Sequence, residues 1–147
     1  MFEKNKIKFD SPFDFNSLSQ VINSGHFISQ VSSQVLADYV LHSSFQIKKV
    51  QSFLPLNSLY NFCEKEYNTK RKPSDLDIFF SMQSGVKSST HRDAYDVIII
   101  GAFGRTLYKV EDKEFLVEPG DLLYIPATQL HVAIGLDPRI IFSYGMH

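Results

Sequence analysis

The chain has one cysteine, Cys63, so an intramolecular disulfide is excluded and a reducing compartment is expected. No apolar run approaches the ~18 residues of a membrane-spanning helix. The first ten residues, MFEKNKIKFD, are charged and lack the apolar centre of a secretory signal, so the expected location is cytoplasmic. A large charge of either sign is also missing. Fifteen Lys and Arg stand against sixteen Asp and Glu, a formal net charge of -1, so the footprint of a general nucleic-acid binder is absent. Basic residues gather only in KEYNTKRKP, Lys65 to Pro73, which reads as a solvated loop after a helix.

What is present suits one domain: 147 residues, 44% hydrophobic and 21% charged, enough apolar material for a core without a structural metal. There is no internal repeat and no low-complexity linker. Residues 1–75 read as mostly helical with one strand. FNSLSQVINSG is a helix ended by Gly25, and SSQVLADYVLHSS is a second, capped by Ser32 or Ser33, with Val35, Leu36, Tyr39 and Val40 at helical spacing. FQIKKVQSFL reads as a strand ended by Pro55. LNSLYNFCEKEYN is a further helix in which Cys63 is a small packed residue rather than a nucleophile. From residue 76 the pattern changes to short strands and tight turns: DIFFSMQ, YDVIIIGAF with a bend at Gly104, RTLYKV, EFLVE, LLYIP, HVAIGL and RIIFSYG. Short strands at even spacing indicate a β-sandwich or barrel.

On an extended segment residues i and i+2 share a face, so His91 and Asp93 project together at the mouth of the most apolar strand. An imidazole and a carboxylate one pleat apart suit adjacent positions on a metal. A third ligand is available from His131, His147, His26 or His42. Two histidines and one carboxylate form the facial triad of non-haem Fe(II) oxygenases, which leaves three positions open.

Two stretches carry a family resemblance. HRDAYDVIIIGAFG resembles the metal-binding strand of Jumonji-C-like members of the cupin superfamily, nearest the ribosomal-oxygenase type. GDLLYIPATQLH resembles the second cupin motif through Gly120, Pro126 and His131, and Gly85 matches a glycine of the first. Asp93 and Val97 stand where the first cupin motif usually has histidine and glutamate, a departure that favours the oxygenase branch over four-ligand cupins. The resemblance covers about residues 76–147.

The resemblance implies a mainly β fold, a double-stranded β-helix with the N-terminal helices packed on the barrel. The barrel's apolar walls would come from Ile98 to Phe103, Leu122 to Ile125 and Ile140 to Phe142. It implies a metal at His91, Asp93 and His131, with Fe(II), 2-oxoglutarate as cosubstrate and dioxygen. The far carboxylate of 2-oxoglutarate needs a basic anchor. Where the family has Lys or Arg for this, the chain has Thr106. Arg105 and Arg139 are the replacements, and Arg139, with Ser143 beyond it on the last strand, is favoured. Tyr108 shares a face with Thr106 and would bind the same carboxylate.

Asp96 is placed to orient a metal ligand, Ser81 and Gln83 to line the pocket, Tyr95 and Tyr124 to form its rim, and His147 in solvent. The expected function is an Fe(II)- and 2-oxoglutarate-dependent hydroxylase acting on a small molecule or a protein side chain. The N-terminal part would cover one barrel face or serve a homodimer contact. Two alternatives stand beside this, a metal-dependent cupin enzyme without 2-oxoglutarate and a non-catalytic ligand-binding cupin.

Overall fold

The computed structural model describes residues 1–24 and 43–147. All but the last two residues of the expected helix over 32–44, the stop at Gly25 and two candidate ligands, His26 and His42, lie outside the described residues. No helix among those described is long and apolar enough to cross a membrane.

The chain begins with a two-residue strand, β1 (Phe2–Glu3), followed by α1 (Phe15–Asn23). Asp14 caps α1 by accepting from Ser17 N, while Ser17 Oγ accepts from Asp14 N in a reciprocal box. β2 (Phe45–Ile47) leads through a single 3-10 turn into α2 (Leu54–Tyr67). Pro55, expected to end a long strand, sits instead in the first turn of α2. There its missing N–H costs nothing and its fixed φ favours the helix. The remaining strands are β3 (Ser74–Ser81), β4 (Asp96–Phe103), β5 (Thr106–Val110), β6 (Lys113–Val117), β7 (Leu122–Ile125), β8 (His131–Gly135) and β9 (Arg139–Met146). The N-terminal part therefore supplies two strands rather than one.

Two antiparallel sheets face each other. The larger runs β1-β7-β4-β9-β3-β2 and the smaller β6-β5-β8. The segment 85–91 lies along β8 through the bridges Lys87–Ile134 and His91–His131, extending the smaller sheet by one edge. This is the double-stranded β-helix expected from the motifs.

The larger sheet is buried on both faces. Val97 and Ile99 of β4 point between the sheets with Tyr108, Val117, Ala133 and Ile141. Ile98, Ile100 and Ala102 point the other way, against Leu18 and Val21 of α1 and Leu56 and Cys63 of α2. A strand covered on both faces has no polar face to show, which explains the unbroken run Val97 to Ala102. It also corrects the expected barrel walls. Ile98, Ile100, Leu122, Ile140 and Phe142 belong to the helix-covered core, not to the barrel interior.

Helix α2 is fastened by a polar knot at Glu64. Its carboxylate accepts from Ser74 Oγ, Tyr144 Oη and, at 3.1 Å, Asn68 Nδ2. Burial pushes this carboxyl up, but donors from Ser74, Tyr144, Asn68 and Tyr60 outweigh it and hold the group below the usual carboxylate range. Beside it, burial pushes the Cys63 thiol up to about 12, so the cysteine is a neutral core residue. Glu64→Ala strands several donors at once and is expected to cost about 2–3 kcal/mol, a fall in Tm of roughly 5–10 °C. A group with a depressed folded-state pKa contributes fully above its unfolded value, and the contribution fades as pH falls through the folded value. The stability gap between wild type and variant should therefore close below about pH 4. A gap that is constant with pH in thermal melts would contradict the ionised knot.

Candidate metal centre and anion pocket

His91 and His131 form one reciprocal backbone pair, His91 N to His131 O at 3.0 Å and His131 N to His91 O at 2.9 Å. Such a pair puts both side chains on one face, and the rings lie 4.3 Å apart. Each imidazole is tethered at Nδ1, His91 to the Ser89 carbonyl at 2.8 Å and His131 to the Gln129 carbonyl at 3.0 Å. The tethers favour a proton on Nδ1 and leave Nε2 as the free lone pair. Both Nε2 atoms point at Asp93, 3.8 Å from Oδ1 for His91 and 3.5 Å from Oδ2 for His131.

One donor atom from each of the three residues lies within 4.8 Å of the others. Cis ligands on a metal with bonds of roughly 2.1 Å sit about 3 Å apart, so small side-chain adjustments suffice. Two neutral imidazoles and one carboxylate grouped around one point suit a divalent transition ion with open positions. Asp93 is held from behind. Its carbonyl accepts from Thr128 N at 2.8 Å, and Arg92 clasps the Thr128 carbonyl at 2.6 Å.

The donors open into a cavity of about 460 Å³ between the two sheets, a size that suits a small ligand. Its inner wall follows β9, where Arg139, Ile141, Ser143 and Gly145 alternate inward. β3 contributes Asp75, Asp77 and Phe79 from directly paired positions. At the closed end lies Arg139, 1% exposed. Its Nη2 donates to Ser44 Oγ at 3.4 Å. Among the described residues, four buried side-chain atoms have no partner: Ser81 Oγ, Thr106 Oγ1, Arg139 Nε and Arg139 Nη1.

These orphans are neighbours. Ser81 is the register partner of Arg139, and Thr106 pairs with Gly135. A Cβ on Gly135 would stand 3.0 Å from both Cδ and Nε of Arg139, so this glycine makes room for the guanidinium. Tyr108 lies beside it. Burial pushes its phenol up to about 12, against the pull of Arg139, so it stays a neutral hydroxyl. Among the described residues the buried Arg139 guanidinium thus has two nitrogens, Nε and Nη1, without a partner, close to the hydroxyls of Ser81, Thr106 and Tyr108.

The other expected residues divide clearly. Arg105 is exposed and fully engaged with Asp137, by its Nε at 2.8 Å and its Nη2 and backbone N at 3.0 Å. It clasps the β8–β9 turn instead of entering the cavity. Gly104 allows this clasp, with φ of +67° in a place where a Cβ would collide with the Pro138 carbonyl oxygen. Gln83 follows the end of β3 and is exposed, so it does not line the cavity. Asp96 accepts from Ala127 N at 2.8 Å and from Tyr124. That pair fastens the end of β7 and touches neither histidine, whose orienting partners are backbone carbonyls.

Tyr95 lines the rim, with its phenol pushed up by burial and then by Asp93, Asp77 and Asp75. His147 is solvent-exposed, as expected, and is also tethered. Its N donates to the Pro73 carbonyl at 2.8 Å, its ring lies 4.1 Å from that of Tyr95, and Nε2 is 3.5 Å from Asp75. Asp75 and Asp77 join the site without having been expected there, and His147, a candidate third ligand from the sequence, lies on the rim instead of with His91, Asp93 and His131. The alternation of Asp75 and Asp77 with Phe79 and Ser81 on one face of β3 was the available signal.

No protein-family model matches the chain, and no curated protein is similar to it. Solved structures are. The ribosomal oxygenase YcfD from Escherichia coli, in complex with cobalt and 2-oxoglutarate, matches over 100% of this chain and 47% of its own, with a TM-score of 0.76 and 22% identity. The same protein with cobalt and succinic acid gives a TM-score of 0.75 and 20% identity over 100% of this chain and 47% of its own. A further structure of that oxygenase is 28% identical over 71% of this chain and 31% of its own, with a TM-score of 0.63. The chain thus shares their fold and spans about half their length.

Proposed function

We infer that this chain, built on the fold of the ribosomal oxygenases, is an Fe(II)- and 2-oxoglutarate-dependent oxygenase, a hydroxylase. The observation that carries the reading is the orphaned guanidinium of Arg139 at the closed end of a cavity whose other end holds the His91, Asp93 and His131 donors. A dicarboxylate bound at both ends satisfies the two features together. The reading without 2-oxoglutarate rested on Thr106, and the buried guanidinium of Arg139 on β9 supports the reading with it.

Bound iron, with 2-oxoglutarate and dioxygen, would supply oxidative decarboxylation to succinate and carbon dioxide and the oxidising power to hydroxylate a substrate C–H bond. The chain's own residues do the rest. The carbonyl tethers of His91 and His131 keep both Nε2 atoms aimed before metal arrives, so little reorganisation is needed. Arg139 would receive the distal carboxylate through its fork, with the Tyr108 hydroxyl beside it on the cavity wall. Val97, Ile99, Ala133 and Ile141 form a dry wall that strengthens these contacts and excludes water from the centre. Tyr95, Asp75, Asp77 and His147 form the rim past which a small molecule or a protein side chain would enter as substrate.

The direct test is anaerobic titration of the Fe(II)-loaded protein with 2-oxoglutarate, followed by visible absorption. A saturable charge-transfer band supports the reading, and its absence at millimolar cosubstrate rejects it. Gly135→Ala should push on Arg139 without touching the metal donors. Its expected effect is a KM for 2-oxoglutarate raised about tenfold, ~1.4 kcal/mol, with metal content unchanged.

A further inference from the structure

Arg92 stands between two metal donors in sequence and outside the cavity in space. It does not line the pocket into which His91 and Asp93 open. Its Nη1 donates to the Thr128 carbonyl at 2.6 Å and lies 3.4 Å from Glu111 Oε1. Among the described residues no other arginine side chain donates to a backbone carbonyl. Arg105 gives its bonds to Asp137, and Arg139 donates to Ser44 Oγ.

The carbonyl that Arg92 holds belongs to the loop 126–130, and this loop carries the fixed points of the other two donors. Thr128 N donates to the Asp93 carbonyl at 2.8 Å, and the Gln129 carbonyl holds His131 Nδ1 at 3.0 Å. The remaining backbone N–H groups of the loop are also engaged. Ala127 N donates to Asp96 Oδ1 at 2.8 Å, Gln129 N to the Pro126 carbonyl at 3.4 Å and Leu130 N to Glu111 Oε1 at 2.7 Å. Glu111 opens the turn between β5 and β6, and its own N donates back to the Leu130 carbonyl at 2.8 Å. One carboxylate oxygen therefore meets both Leu130 N and Arg92. Through these contacts the segment 91–93, the loop before His131 and the end of β5 become one unit.

The loop does not keep this shape by itself. Thr128 takes φ of +70°, and it is the one β-branched residue among the described non-glycine residues with positive φ. That conformation is an outlier for a β-branched side chain and persists only where the surroundings impose it. The two backbone groups of Thr128 are the ones held, its N–H by Asp93 and its carbonyl by Arg92. Without Arg92 the peptide after Thr128 is free to turn, next to the carbonyl that orients His131. The contact is poorly placed to serve stability alone. The side chains of Arg92 and Glu111 are 56% and 45% exposed, and exposed ion pairs contribute little to folding.

We propose that Arg92, supported by Glu111, is a positioning residue of the metal centre, which locks His91, Asp93 and His131 into one arrangement through the Thr128 carbonyl. The inference rests on the reading of those three residues as metal donors. Arg92 touches neither metal nor substrate, and it acts through the loop.

The test is titration of the metal-free protein with Co(II), followed by visible absorption, for the wild type, Arg92→Ala, Arg92→Lys and Arg105→Ala. Arg92→Ala should weaken Co(II) binding about 10- to 100-fold and change the shape of the cobalt bands. Arg92→Lys should recover part of the loss, because an ammonium can still donate to the Thr128 carbonyl. Arg105→Ala breaks an exposed arginine clasp at the opposite end of β4 and should bind Co(II) as the wild type does. In the metal-free protein, amide exchange at Thr128 and Leu130 should be faster in Arg92→Ala than in the wild type. Wild-type Co(II) affinity in Arg92→Ala overturns the proposal, and so does unchanged amide exchange. An equal loss in Arg105→Ala overturns it as well, since the effect would then be one of general stability. Failure of the wild type to bind Co(II) overturns the metal reading and this proposal together, whereas the other outcomes strike this proposal alone.

Discussion

Arg139→Met is expected to weaken 2-oxoglutarate binding by about 100- to 1000-fold while making the ligand-free protein more stable. The two effects have one cause. Arg139 is 1% exposed and, among the described residues, its Nε and Nη1 have no partner, so without a bound anion it carries the desolvation cost of a buried charge. An apolar side chain of similar length removes that cost, and replacements of this kind stabilise proteins by about 1–4 kcal/mol. The same change deletes a charge-assisted, forked contact to the cosubstrate. Arg139→Lys should fall between, because it keeps the charge and loses the fork. Calorimetric titration and thermal melts of the same preparations check both halves. A destabilised Arg139→Met protein with normal cosubstrate affinity would mean that the arginine is structural and that the anchor lies elsewhere.

The second large effect belongs to the metal donors. His91→Ala, Asp93→Ala and His131→Ala should each reduce metal content after Fe(II) loading well below one equivalent. Succinate formation should fall on the order of 1000-fold or more, since every open-site mechanism needs the full donor set. His91→Ala is the most informative of the three. Its side chain is 43% exposed, against 6% for that of His131, so its loss opens no core cavity and cannot act through unfolding. Stoichiometric metal in the His91 variant by elemental analysis would sink the assignment.

The metal donors are legible in the sequence because the cue is local. His91 and Asp93 are two apart on an extended segment, and His131 begins a strand after a recognisable turn. What makes the site convincing is not legible there, namely the reciprocal backbone bonds between residues 91 and 131 and the carbonyl tethers on Nδ1. The choice between Arg105 and Arg139 is also hidden. Both follow a turn, and only the fold shows that Asp137, 32 residues from Arg105, occupies it fully while Nε and Nη1 of Arg139 stay unpartnered. The direction of Ile98 and Ile100 differs from expectation for a related reason. An apolar run on a strand does not say which of two buried faces holds the ligand, and helices α1 and α2 cover one of them. Pro55 misleads because the same residue ends a strand and starts a helix equally well.

The two faces of β9 differ in chemistry: Ile140, Phe142, Tyr144 and Met146 face the helix-covered core, while Arg139, Ile141, Ser143 and Gly145 face the cavity. A slip by one residue would carry Ile140, Phe142 and Tyr144 to the cavity face and leave Ile141 as the one large apolar side chain of β9 against the helices. It would also drive Arg139 and Ser143 into the helix-covered core and pull Tyr144 away from Glu64. The polar residues of β9 therefore act as alignment pins during folding. The arginine whose buried charge is expected to cost stability is thus also one of the residues that sets the frame in which the barrel assembles.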